Sequence, residues 1–232
     1  MGKTLRQSRS ATVLASISLV LAVSIPGAPR DSSPVKRILV LGDSLSGGFG
    51  LSPRQAYPAL LTEKLREAGK FEITNASQTG GTTADGVQRL PAHLKRRVDI
   101  FILELGINDA FRGVPIPEIR SNLQRIIDLT RGRNPNVRII IAGMHLPNYS
   151  ADDYVFAFGQ LYADLAAKNH AALIPYLLES IGGNPNLNQP DHIHPNAAGQ
   201  MILAETVWRV LEPIARDLAT ARDGSPEPPA GD

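Results

Sequence analysis

The segment from residue 36 to residue 219 predicts an α/β fold, a parallel sheet with helices over both faces. Two patterns point to it. Short runs rich in branched apolar residues recur along the chain, several of them continuous rather than alternating, as strands read when both faces are covered. Segments with apolar residues at helical spacing separate most of these runs. A third observation concerns function: polar, glycine-bearing corners follow three of the runs, and in parallel sheets ligands bind at the carboxyl ends of strands.

In chain order, Arg37 to Leu41 is the first strand, and it runs into the corner Gly42-Asp43-Ser44-Leu45-Ser46-Gly47-Gly48-Phe49-Gly50. Tyr57 to Ala68 carries Leu60, Leu61 and Leu65 at helical spacing. Phe71 to Thr74 is the second strand and Asp99 to Leu105 the third. A helix over Glu118 to Thr130, with Ile119, Leu123, Ile126 and Ile127 on one face, leads to a fourth strand, Val137 to Ala142. Asp153 to Asn169 forms the next helix, Ala172 to Tyr176 the fifth strand, and Ala197 to Leu218 the last helix. No internal repeat is visible.

The chain has 232 residues, of which 43% are hydrophobic and 20% charged, a length and composition that suit one compact domain. It has no cysteine, which excludes disulfides, zinc-thiolate sites and a cysteine nucleophile. The net charge is +2, and Lys3, Arg6 and Arg9 contribute three of the positive charges, so the rest of the chain is nearly neutral. Such a balance offers no field for nucleic acid, and that class of partner is excluded.

Residues 1–28 have the basic, apolar and small-residue order of a secretory signal. The apolar stretch 11–25 is shorter than the roughly 20 residues of a spanning helix, which favours cleavage and export over a membrane anchor. Cleavage after Ala28 competes with a small-residue match at Ala22-Val23-Ser24. The expectation is an exported protein, periplasmic or secreted, with no stable span once the signal is removed; the competing reading keeps 11–25 as an anchor. Residues 29–35 read as a linker and 220–232, rich in Pro, Gly and charge, as a disordered tail.

The corner after the first strand lacks the spacing of a phosphate loop, and no Lys follows its glycines. Gly42 and Ser44 match the start of a nucleophile elbow, but Ser46 stands where its second Gly belongs. A serine in such a turn is commonly a helix cap, so it needs partners before it implies chemistry. Asp191-x-x-His194, just before the last helix, presents a carboxylate and an imidazole on one short loop. The carboxylate suits the role of fixing the imidazole's tautomer; Asp191, His192 and His194 as zinc ligands is the competing reading, weakened by the lack of a second ligand cluster. His93, among Lys95, Arg96 and Arg97, reads as part of a basic helical patch. Acyl transfer also needs donors for an oxyanion. Gly80, after the second strand, can bring a backbone N–H close to a ligand, and Asn108, after the third, has an amide to donate.

Taken together, Gly42-Asp43-Ser44-Leu45, Gly80, Gly106-x-Asn108-Asp109 and Asp191-x-x-His194 occur in the order of the four blocks of the SGNH hydrolases, also called the GDSL esterase/lipase family, which the chain resembles over about residues 36 to 210. Leu103-Glu104-Leu105-Gly106, Leu146-Pro147-Asn148-Tyr149 and Ile193-His194-Pro195-Asn196 are similar to its secreted thioesterase, lysophospholipase and arylesterase branch. The resemblance implies a three-layer α/β/α sandwich of flavodoxin-like kind with five parallel strands. It implies Ser44 as nucleophile, His194 as general base and acid, and Asp191 as its orienting partner. The oxyanion hole it implies is the backbone N–H of Ser44, the backbone N–H of Gly80 and the amide of Asn108. Gly81, Ile107 and His192 depart from that branch's pattern, where Asp, Gly and Gly are common.

The expected activity is hydrolysis of acyl or aryl esters and thioesters through an acyl-enzyme, by a monomer and without metal or other cofactor. Leu51, Phe111, Leu146 and Tyr149 are candidate pocket residues, with Phe156 a further one, and 145–154 is a candidate loop over the site. A carbohydrate O-acetylesterase and a non-catalytic binding protein on the same scaffold are the alternatives.

Overall fold

The computed structural model describes residues 1–2, 34–146 and 153–221. The segments read as signal, linker and tail fall almost entirely outside the described residues, as does Tyr149. Five strands, β1 (Lys36–Leu41), β2 (Phe71–Asn75), β3 (Ile100–Leu103), β4 (Arg138–Ala142) and β5 (Ala172–Ile174), form one sheet in the order β2-β1-β3-β4-β5, parallel throughout. The strand order reverses between β2 and β3, with β1 at the turning point, so the crevice where parallel sheets bind ligands opens beside the end of β1.

Helices α2 (Tyr57–Ala68) and α7 (Ala197–Thr220) pack on each other, as do α3 (Thr83–His93) with α5 (Ile116–Arg133) and α5 with α6 (Asp153–Lys168). These two groups cover the two faces and complete three layers. The central strands are dry as a result. Ile100, Phe101 and Ile102 of β3, and Val40 and Leu41 of β1, have no exposed surface. Each such side chain contributes about 1.5–3 kcal/mol on burial. From the helices, Leu61, Ile119, Leu123, Ile126, Ile127, Leu161 and Leu211 complete the core.

The sequence placed strands and the long helices within a few residues. β3 stops at Leu103 and β5 at Ile174, shorter than expected: Glu104 turns inward as a polar residue, and Pro175 has no N–H for the ladder. α3 was not among the expected elements. Its start carries a capping box, Thr82 accepting from Asp85 N–H at 3.2 Å while the Asp85 carboxylate accepts from Thr82 N–H at 2.9 Å. Gly86 and Pro91, both poor helix formers, hid it. Only His93 of the expected basic helical patch is helical, since α3 ends there.

Two short helices, α1 (Ser44–Gly47) and α4 (Ile107–Phe111), follow β1 and β3 directly. Sheet-like hydrogen bonds continue past the strand ends: Ala76 N–H to Val40 O, Gln78 N–H to Gly42 O, and Glu104 N–H to Leu41 O. These bonds fix the corners after β1, β2 and β3 side by side.

Candidate active site

Ser44 is the first residue of α1. Asp43 caps that helix, its Oδ1 accepting from Leu45 N–H at 2.9 Å, and Gly48 ends it with φ of 68°. The turn is tight, and Ser44 is only 6% exposed.

The loop before α7 is tied down at several points. Asn188 and Pro195 form an isolated bridge, Gln189 N–H donates to His194 O at 2.7 Å, and the Gln189 amide reaches across to Phe49 O at 2.6 Å. Asn196 caps α7 by accepting from Gly199 N–H at 3.0 Å. Within this frame Asp191 Oδ1 accepts from the backbone N–H groups of Ile193 and His194, both at 3.0 Å, while Oδ2 lies 2.7 Å from His194 Nδ1. His194 Nε2 lies 3.0 Å from Ser44 Oγ. Residues 150 positions apart thus form one hydrogen-bonded row. The His194 N–H bond, followed by the imidazole bond, pulls the Asp191 carboxyl down to about 2, so it is ionised at neutral pH.

Asn108 stands in the first turn of α4. Its amide donates to Asp43 Oδ2 at 2.9 Å and to Gly81 O at 3.1 Å. Next to it, buried Asp109 accepts from Thr83 N–H at 2.9 Å and Thr83 Oγ1 at 2.6 Å, which ties α4 to the start of α3. Gly80 takes φ of 71°, a left-handed conformation that side chains disfavour, and its carbonyl accepts from Arg112 at 3.0 Å. The N–H groups of Ser44 and Gly80 donate to no described residue. All five residues singled out in the sequence for catalysis therefore gather at the ends of β1, β2 and β3 and in the loop before α7. A row of this kind can pass a proton from a hydroxyl to an imidazole, with N–H groups available for a developing negative charge.

The described candidate wall residues differ in burial. Leu51 is half-buried in the turn after α1, Phe111 is exposed at the end of α4, and Leu146 packs against the core. Phe156 of α6 is exposed. Two further apolar residues touch or flank the row and were missed in the sequence: the Phe49 ring lies 4.5 Å from that of His194, and Ile193 is exposed beside it. Phe49 lies in the glycine-rich corner itself, where an aromatic residue was the available signal. Among the described residues no three His, Asp or Glu side chains converge as metal ligands.

The sequence pattern of the GDSL-like lipase/acylhydrolase family matches residues 40–202. The chain is 36% identical to the esterase TesA of Pseudomonas aeruginosa over 179 residues, 76% of this chain and 88% of that one. It is 34% identical to thioesterase 1/protease 1/lysophospholipase L1 of Escherichia coli over 178 residues, 76% of this chain and 84% of that one. A crystal structure of TesA superposes with a TM-score of 0.73 over 77% of this chain and 99% of that one, at 36% identity. With the fold, the order of the sequence blocks and these similarities in agreement, the chain belongs to the GDSL-like lipase/acylhydrolase family.

Proposed function

We propose that the protein is a serine esterase that hydrolyses acyl or aryl carboxylic esters and thioesters through an acyl-enzyme on Ser44. The observation that carries this reading is the row Ser44–His194–Asp191, with contacts of 3.0 Å and 2.7 Å. Ser44 Oγ attacks the acyl carbonyl as His194 Nε2 takes its proton; the ionised Asp191 holds Nδ1 protonated and so leaves Nε2 free to accept. The carbonyl oxygen, now negative, takes hydrogen bonds from the N–H groups of Ser44 and Gly80 and from the Asn108 amide. His194 then returns the proton to the departing alcohol or thiol, leaving acyl-Ser44. Water activated by His194 attacks the acyl carbonyl, and Ser44 is released with the carboxylic acid. Both N–H groups of the Asn108 amide already have acceptors, so in this mechanism the longer bond, to Gly81 O, is the one that yields to the oxyanion.

Supporting an acyl or aryl group over a sugar acetate, Phe49 and Ile193 flank His194, and Phe111 shares a short helix with Asn108. The names of the curated relatives, an esterase and a thioesterase, point the same way. Export rests on the residue order of 1–28, and N-terminal sequencing of the mature protein checks it. The catalytic proposal is tested by rapid-mixing kinetics with a chromogenic aryl ester. The native protein gives a burst of leaving group, and Ser44→Ala gives none; a burst that survives Ser44→Ala removes the serine from the mechanism.

A further inference from the structure

Directly beneath Ser44 lie two acids that the mechanism above does not use. Asp43 and Glu104 both have no exposed surface. Glu104 follows β3 and extends its side chain under the corner after β1. There its Oε2 accepts from Asp43 N–H at 3.0 Å, Ser46 N–H at 3.3 Å and Ser46 Oγ at 2.7 Å. Ser46 Oγ lies 2.9 Å from the hydroxyl of fully buried Tyr57. Asp43, held from below in this way, spans the corner: Oδ1 caps α1 at Leu45 N–H, and Oδ2 holds the Asn108 amide. The space is filled by this arrangement, since a Cβ on Gly42 would sit 2.6 Å from Glu104 Oε2.

We propose that Glu104 is a positioning residue: by holding the backbone of Asp43 and Ser46 it fixes Asp43, and through Asp43 it sets the orientation of the Asn108 amide. The inference rests on the esterase reading above, because Asn108 acts there on the oxyanion. Two adjacent buried carboxylates would be costly, and one neutral carboxyl beside one carboxylate costs less. Burial, followed by the charge of Asp43, pushes Glu104 well above the ordinary carboxylate range. Glu104 Oε1 has no hydrogen-bond partner among the described residues, which leaves it to carry the proton of the neutral acid. The amide of Gln keeps an acceptor oxygen for Asp43 N–H and Ser46, and an alanine has none.

The test is a set of variants assayed on one chromogenic ester, with kcat and KM measured separately and folding checked by circular dichroism. Glu104→Ala is expected to lower kcat by about tenfold, part of the roughly 10²–10³ associated with one oxyanion donor, with KM nearly unchanged. In an Asn108→Ala background the same change should cost less than about threefold, because its effect runs through Asn108. Glu104→Gln should restore kcat to within about threefold of the native value. If Glu104→Ala does not fold, Asp43→Asn replaces it in the cycle: an amide has a single acceptor oxygen and cannot serve both Leu45 N–H and Asn108. A loss that is as large in the Asn108→Ala background as in the native one overturns the proposal, as does a Gln variant no better than Ala. Native protein and Ser44→Ala on the same ester report separately on the esterase reading, so the two failures are told apart.

Discussion

Asp191→Asn is the change whose consequence the structure specifies most fully. Two backbone N–H groups converge on Asp191 Oδ1, and one imidazole nitrogen faces Oδ2. An Asn has one oxygen to place. Facing it toward Ile193 and His194 N–H keeps two hydrogen bonds, each worth about 1 kcal/mol net, against one for the opposite orientation. The amide NH₂ then points at His194 Nδ1, which must act as acceptor, and the ring proton moves to Nε2. That nitrogen lies 3.0 Å from Ser44 Oγ and can no longer take its proton. With the ring in the wrong tautomer, kcat should fall by up to about 10⁴, as it does in Ser-His-Asp enzymes, equivalent to about 5.4 kcal/mol of barrier. The melting temperature should move by no more than a few degrees, because both backbone bonds persist. Burst kinetics with an aryl ester, run beside a thermal melt, measure both quantities. A kcat loss below about tenfold, with the melt unchanged, would refute the tautomer argument.

Asn108→Ala should reduce kcat by about 10²–10³ in steady-state ester hydrolysis; a change below about threefold would reassign it to a structural role. Position 192 holds a His at φ of 59°, the left-handed region, in the turn that carries Asp191 and His194. His192→Val should therefore be less stable than His192→Gly by about 1–2 kcal/mol in denaturant melts, and equal midpoints would contradict this. The Asp43 and Glu104 pair makes stability depend on pH. Burial raises both, Asp43 to about 6, so the folded protein keeps a proton that the unfolded chain gives up above its ordinary value of 3.8. The pair's contribution is full below that value and is lost as pH rises through about 6. Arg89 of α3 and His194 face the pair and oppose the shift, while Tyr57 of α2 and Tyr162 of α6 close the space around it. Denaturant midpoints between about pH 4 and pH 7 should decline in the native protein and decline less steeply in Glu104→Gln, which removes the Glu104 proton and keeps that of Asp43.

The sheet and most helices were readable because their signal is local. Runs such as Ile100 to Leu103 are apolar on both faces, and Leu61 or Ile126 recur at helical spacing. The candidate catalytic positions were readable because each sits in a polar corner beside such a run. What escaped depends on contacts between distant segments. α3 is held by its cap and by packing against α5 despite Gly86 and Pro91. Glu104 looks in sequence like a charged residue closing a strand; only the bond from its N–H to Leu41 O places its side chain under the first corner. Phe49 gains its meaning from His194, which is far along the chain.

The loop before α7 makes the candidate site depend on the docking of the last helix. His194 and Asp191 are held by the cap on α7 and by Gln189 reaching Phe49, and α7 packs on α2, so the imidazole is placed where the last helix docks. Until that helix docks, the Ser44 hydroxyl has no imidazole beside it.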